Sequence, residues 1–239
     1  MQTGGTARVG SWEAADEAAR APRSGVTNVD PRGEATRNTI IEVAVRLFAE
    51  RGVLAVSNRQ IGAAAGRGNT SVVGYYFATK ADLVRAVMRR FMERVSLGRE
   101  QRIAQLSDTP DLRDWVVCLV YPYTELLEAD GPPTWHARFI AQVLTDPGLR
   151  ELAVDEATSQ PIQRILDGLK ECLPDLPEQV LQDRSRIASH VIVQMCAERE
   201  RALADGLPVH PPTWEEAATG LVDVLVGMWT APVTTAEDE

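Results

Sequence analysis

The side chains whose types and spacing could do chemistry concentrate in one short stretch, Ser57 to Phe77. Ser57-Asn58-Arg59-Gln60 opens it as a capping box, in which a Ser hydroxyl and a Gln side chain satisfy reciprocal backbone amides. Arg67-Gly68-Asn69 is a turn by composition. Thr70 to Phe77 then makes about two turns of helix, with Val73, Tyr76 and Phe77 inward and Ser71, Val72, Gly74 and Tyr75 on the other face. Hydroxyls, an amide, a phenol and two arginines are groups that hydrogen-bond a polar or anionic partner. They are not a nucleophile with its base.

The rest of the chain offers catalysis little. His136, His190 and His210 stand apart from any carboxylate or Cys at metal-ligand spacing, so they read as structural or exposed. There is no phosphate-cradling Gly loop, no convincing nucleophile elbow and no acid/base pair. The expectation is a protein that is not an enzyme and needs no metal or cofactor. Cys118, Cys172 and Cys196 are odd in number, far apart and set in apolar helical patterns, which fits free thiols in a reducing cytoplasm. Asn69-Thr70-Ser71 also spells a glycosylation acceptor, a reading that needs a secretory route, and Met1 to Gly33 lacks the basic start and apolar run of a signal peptide.

Helices must position the 57–77 stretch. Ile40, Ala44, Leu47 and Phe48 share a helical face that ends at Gly52. A short second helix runs from the capping box to Gly66, with small residues at Ala63, Ala64 and Ala65 for close approach to its neighbours. Thr79-Lys80-Ala81-Asp82 starts a long fourth helix through Leu83, Val84, Val87, Met88, Phe91 and Val95. Further helices are expected near 111–129, 134–144, 148–172, 177–205 and 213–230, separated by Pro- and Gly-containing breaks. The fold class is therefore all-α, without sheet. The expected organisation is a disordered tail over 1–33, a helix-turn-helix unit over 34–78, a linking helix over 79–97, a second helical domain over 98–230 and an acidic tail over 231–239. No apolar run approaches the roughly 20 residues a bilayer needs, so no membrane span is expected.

The net charge of −9 over 239 residues argues against a nucleic-acid partner until it is divided along the chain. Glu34 to Leu97 carries 10 Arg and Lys against 5 Asp and Glu, whereas Gly98 to Glu239 carries 11 against 25. A basic N-terminal third on an acidic body is the pattern of a phosphate-binding head with a separate second domain.

Two short helices joined by a tight Gly-containing turn meet the physical requirement of a helix-turn-helix. Thr36 to Phe91 resembles the N-terminal domain of TetR-type regulators through Ile41, Ala44, Leu47-Phe48-Ala49-Glu50-Arg51-Gly52, Ser57, Ile61, Ala65-Gly66, Tyr75-Tyr76-Phe77, Thr79-Lys80 and Leu83. Arg67 to Ser71 looks like a longer-turn variant, with one residue more than the commonest pattern. Tyr76 stands where the family often has His, and Gly74 where it often has Tyr. The resemblance implies that the third helix enters the major groove of double-stranded DNA, while Lys80 and the amino ends of helices two and four hold phosphates. Ser71 and Asn69 can then bond base edges or phosphates, Val72 can touch a thymine methyl, Gly74 lets the groove wall approach and Tyr75 can reach a phosphate. Alternatives stay open: Asn69 as a helix cap, Tyr75 as partly core, and Arg59 and Arg67 as solvated charges.

For the second domain the resemblance implies a homodimer reading an inverted-repeat operator, with the last two helices paired across a twofold axis. The residues expected at that interface are Ile187, Val191, Met195, Leu221, Val224, Leu225 and Met228. The helices near 111–129 and 134–144 gather Trp115, Cys118, Tyr121, Tyr123, Trp135, His136, Phe139 and Gln142, an aromatic set with polar tips that suits either a ligand cavity or plain core. The expected partner there is a mostly apolar small-molecule effector that releases the operator. Competing readings are a ligand-independent dimeric regulator, repressor or activator, and a helical-bundle enzyme, which would need paired carboxylates or a Glu-x-x-His motif that the sequence lacks.

Overall fold

Four of the described helices start on a capping box, at Ser57, Thr79, Asp111 and Thr213. The computed structural model describes residues 31–66, 71–173 and 175–233, and among these it contains ten helices and no strand. They are α1 Pro31–Arg51, α2 Asn58–Ala64, α3 Val72–Tyr76, α4 Lys80–Ile103, α5 Leu112–Asp130, α6 His136–Thr145, α7 Arg150–Ala157, α8 Gln160–Cys172, α9 Glu178–Ala204 and α10 Trp214–Thr230. Arg67, Asn69 and Thr70, most of the expected tail and the last six residues lie outside the described residues.

Three boundaries differ from the sequence reading. α1 begins at Pro31, inside the expected tail, because a first-turn proline forfeits no hydrogen bond. α4 continues to Ile103, since its buried stripe runs on through Val95, Arg99 and Ile103. The single helix expected over 148–172 is two: Ser159 is extended, and Pro161 has no N–H to bond the Ala157 carbonyl as an unbroken helix would require.

From Thr36 onward the described residues form one compact unit. α2 packs on α3, α4 lies against α5, α7 and α8, α9 packs on α6, and α10 packs on α5 and α9. One apolar core runs through all of it, from Ile40, Phe48, Ile61, Val73 and Phe77 to Phe91, Phe139, Ile165, Leu169 and Leu225. Among the described residues no helix is long and apolar enough to cross a membrane.

Candidate nucleic-acid interface and buried cavity

Both capping boxes expected from sequence are present. Ser57 N–H donates to Gln60 Oε1 at 2.8 Å and Gln60 N–H returns to Ser57 Oγ at 3.3 Å. Thr79 and Asp82 do the same at the start of α4, where the Thr79 hydrogen bond and nearby Arg85 hold the Asp82 carboxyl below its ordinary range. The Ser57 hydroxyl is therefore already engaged in capping α2. Asn58 Oδ1 is buried without a hydrogen-bond partner, and Arg59 is exposed.

α3 presents a clean outer face. Val73 and Phe77 are buried beneath it, while Ser71, Gly74 and Tyr75 are exposed and Val72 is half-buried. Tyr75 is 83% exposed, which removes the reading of it as core, and its ring meets Tyr76 edge-on at 5.0 Å. α2 ends at Gly66, whose φ of +68° is a left-handed conformation that a side chain would strain. The small residue buried beside Ile61 is Gly62. Ala63 and Ala64, expected at the crossing, are exposed.

Lys80 is placed differently from the sequence reading. Its Nζ donates to the Val53 carbonyl at 2.8 Å and reaches Leu54 O at 3.4 Å, and partial burial lowers its pKa. In this conformation it ties the α1–α2 connection to the start of α4. An ammonium has three donors, so a phosphate contact is compatible with that bond.

The body joins the head through α6 as well as α4. Phe139 stacks on Phe48 at 5.8 Å, and the Gln142 amide accepts from Val53 N–H at 3.2 Å and donates to Ala49 O at 3.3 Å. Two of the residues expected to line a ligand pocket, Phe139 and Gln142, therefore hold the head. Trp135 precedes α6 as its N-cap residue. Trp115 packs over Gly168 so tightly that a Cβ there would lie 2.1 Å from its indole. Cys118 is buried and its thiol is pushed up by desolvation. Tyr121 Oη lies 3.0 Å from Thr219 Oγ1.

A cavity of about 180 Å³ lies elsewhere, between α4, α5, α6, α7, α8, α9 and α10, and of the aromatic set only Tyr123 lines it. Its wall is mostly Met, Leu and Ile, with the polar atoms of Arg99, Tyr123 and Trp229 added. Sequence reading missed Arg99, although the signal was present: it falls four residues from Val95 and from Ile103, a charge on the apolar stripe of α4. Next to this region Phe91 meets Tyr123 edge-on at 5.3 Å and stacks on His136 at 4.6 Å. Burial drives His136 down to about 4, and Asp130, 4.0 Å from its Nδ1, opposes this only partly.

On the far side of the molecule α9 and α10 expose apolar side chains. Ile187, Met195 and Val224 are exposed and Val191 and Met228 partly so, and Val191, Met195, Gly220 and Val224 line a shallow groove. Leu225 and Leu221 are buried within the protomer, one helical turn behind that surface. Among the described residues no group of His, Cys, Asp and Glu is placed to hold a metal.

A basic head with an exposed recognition-type helix, carried on a helical body with an internal cavity, defines a helix-turn-helix regulator with a sensor-type domain. Comparison agrees: a family model described as bacterial regulatory proteins, tetR family, matches residues 40–87, and one described as tetracyclin repressor-like, C-terminal domain, matches 117–228. The chain belongs to the TetR family of transcriptional regulators, which are DNA-binding proteins and not enzymes. No curated protein matches it. A putative TetR-family regulator from Shewanella sp. PV-4 superposes with a TM-score of 0.58 at 17% identity, covering 81% of this chain and 95% of that one. FadR from Bacillus subtilis, solved with stearoyl-CoA, gives 0.53 at 18% identity over 80% and 98%. The multidrug binding protein EbrR, solved with malachite green, gives 0.50 at 23% over 82% and 98%.

Proposed function

We infer that the protein is a cytoplasmic, homodimeric repressor whose operator binding is relieved by a small, mostly apolar molecule. In this reading 34–78 binds DNA, 79–97 transmits, and 98–230 senses and dimerises. The single observation that carries it is the placement of the cavity: its wall includes Met88, Met92 and Arg99 of α4, the helix whose first residue, Lys80, holds the head. An occupant that prefers one position of α4 therefore biases the spacing of two recognition helices. A second contact route runs from Tyr123 through Phe91 and His136 into α6, which carries Phe139 and Gln142 to the head.

Ser71, Val72, Gly74 and Tyr75 read the groove in this proposal, with Asn58, Arg59, Arg67, Asn69, Thr70 and Lys80 toward phosphates and flanking bases. The stripe Ile187, Val191, Met195, Val224 and Met228 forms the twofold contact, and two copies of α3 then demand inverted half-sites roughly 34 to 36 Å apart. Solved neighbours carry occupants as different as stearoyl-CoA and malachite green, so the fold alone does not choose the ligand.

Selection of bound fragments from the source genome by the purified protein, followed by electrophoretic shift with and without molecules that raise its melting temperature, tests the reading. Release of an inverted-repeat site by a stabilising molecule is the expected result. Stable binding of DNA by a monomer, or an operator complex indifferent to every stabilising molecule, contradicts it and favours a ligand-independent regulator.

A further inference from the structure

Arg99 is 6% exposed, and its Nε and Nη1 are buried without hydrogen-bond partners. Among the described residues no carboxylate pairs with it. The guanidinium does not escape by losing its proton, since burial lowers its pKa only to about 10. A buried cation with neither counter-ion nor hydrogen bonds is strongly unfavourable unless something brought from outside supplies both.

Two further residues that line the same cavity carry polar atoms that are equally unpartnered. They are Tyr123 Oη and Trp229 Nε1, both buried, and Tyr123 is the titratable neighbour that acts electrostatically on Arg99. Guanidinium, phenol and indole can all donate, and guanidinium and indole cannot accept. Ser185 Oγ is already bonded to Leu181 O at 2.8 Å, and Ser189 lies at the exposed edge. The remaining wall, with Met88, Met92, Leu119, Ile140, Leu166 and Ile192, is apolar. The cavity thus has a cationic side at Arg99 and Tyr123 and a hydrocarbon-like remainder. Its volume of about 180 Å³ is a little above the roughly 150 Å³ that holds a benzene ring.

The geometry points to a small amphipathic carboxylic acid as the effector, its carboxylate on Arg99 with Tyr123 as a supporting donor, and its hydrocarbon part among the Met, Leu and Ile side chains. This rests on the reading of the cavity as the sensing site and names the chemical class it takes. Arg–carboxylate pairing is directional and bidentate, so the acid also fixes where the α4 backbone lies around residue 99. That point is roughly 28 Å along the helix from Lys80, at 1.5 Å per residue.

Matched probes decide it: octanoate against 1-octanol, and 4-phenylbutyrate against 4-phenylbutan-1-ol, titrated calorimetrically into the full-length protein and into Arg99→Met and Tyr123→Phe variants. Wild type should bind at least one acid tenfold or more tighter than its alcohol. Arg99→Met should abolish that preference while its circular dichroism and melting stay native-like, and Tyr123→Phe should reduce it with the Arg in place. Alcohols binding as well as acids, or an acid preference that survives Arg99→Met, overturns the carboxylate assignment and leaves the sensing cavity standing. If neither class binds wild type, the cavity is not the sensing site and both readings fall. An acid that binds through Arg99 without releasing operator confirms the carboxylate site and removes ligand relief instead.

Discussion

The head and the body of this protein differ in how far their buried polar groups are satisfied: among the described residues one such atom in the head, Asn58 Oδ1, has no partner, against six in the body. In the head, Ser57 with Gln60 and Thr79 with Asp82 close on each other, Lys80 is bonded to carbonyls, and the exposed α3 face waits for a partner in water. In the body, Arg99, Tyr123, Trp229 and His136 hold buried polar atoms with no partner. A largely satisfied scaffold with an outward polar face suits recognition of a large, hydrated surface. Unsatisfied donors inside a core raise the free energy of the empty state and favour a ligand that supplies acceptors.

The junction between the two regions gives the largest expected effect. Phe139→Ala removes a fully buried ring stacked on Phe48 and should destabilise by about 3 to 5 kcal/mol, measured by urea unfolding. Loss of less than about 1 kcal/mol would mean that head and body are not packed as one core.

The body should also carry a pH dependence of its own, centred on His136. His136 is held neutral in the folded state down to about pH 4, whereas the unfolded chain protonates near pH 6.5. Below that pH the unfolded state binds the extra proton, so stability is full above about 6.5, falls as pH drops toward 4 and levels off beneath it. The accumulated loss is about 3 kcal/mol, and His136→Asn should flatten it. An unchanged profile in that variant would place the sensitivity elsewhere.

Two glycines sharpen the contrast further. Gly168→Ala forces a methyl into the Trp115 ring and should cost about 1 to 3 kcal/mol. Gly74→Ala meets nothing within 4 Å, so it should leave stability unchanged or raise it by up to about 1 kcal/mol while weakening operator binding, because the methyl lies on the exposed face of α3. Destabilisation by Gly74→Ala with unaltered operator affinity would break the assignment of that face.

How much of this was legible in the sequence follows the same division. The head's landmarks are local: capping boxes, the glycine turn and the apolar spacing lie within a few residues of their partners, so helices one to four could be read directly. The boundary between α7 and α8 was missed because Pro161 lies inside an otherwise continuous helical pattern. The cavity was not legible, because it is assembled from seven helices spread over the chain. Aromatic residues drew the sequence reading to α5 and α6, yet Phe139 and Gln142 face the head and Trp115 faces Gly168. Neither contact leaves a sequence signal. Arg99 did leave one, as a charge on a buried stripe. Likewise only exposure separates Val224 from Leu225, since both are apolar neighbours on α10.

The central claim is that cavity and DNA interface compete through α4 and α6. Calorimetric titration of a cavity-binding acid into the dimer, alone and saturated with its operator, tests it most directly. A coupling of about 1 to 3 kcal/mol predicts that operator weakens acid binding roughly 5- to 150-fold and that acid weakens operator binding by the same factor. Equal acid affinity with and without operator would contradict the account.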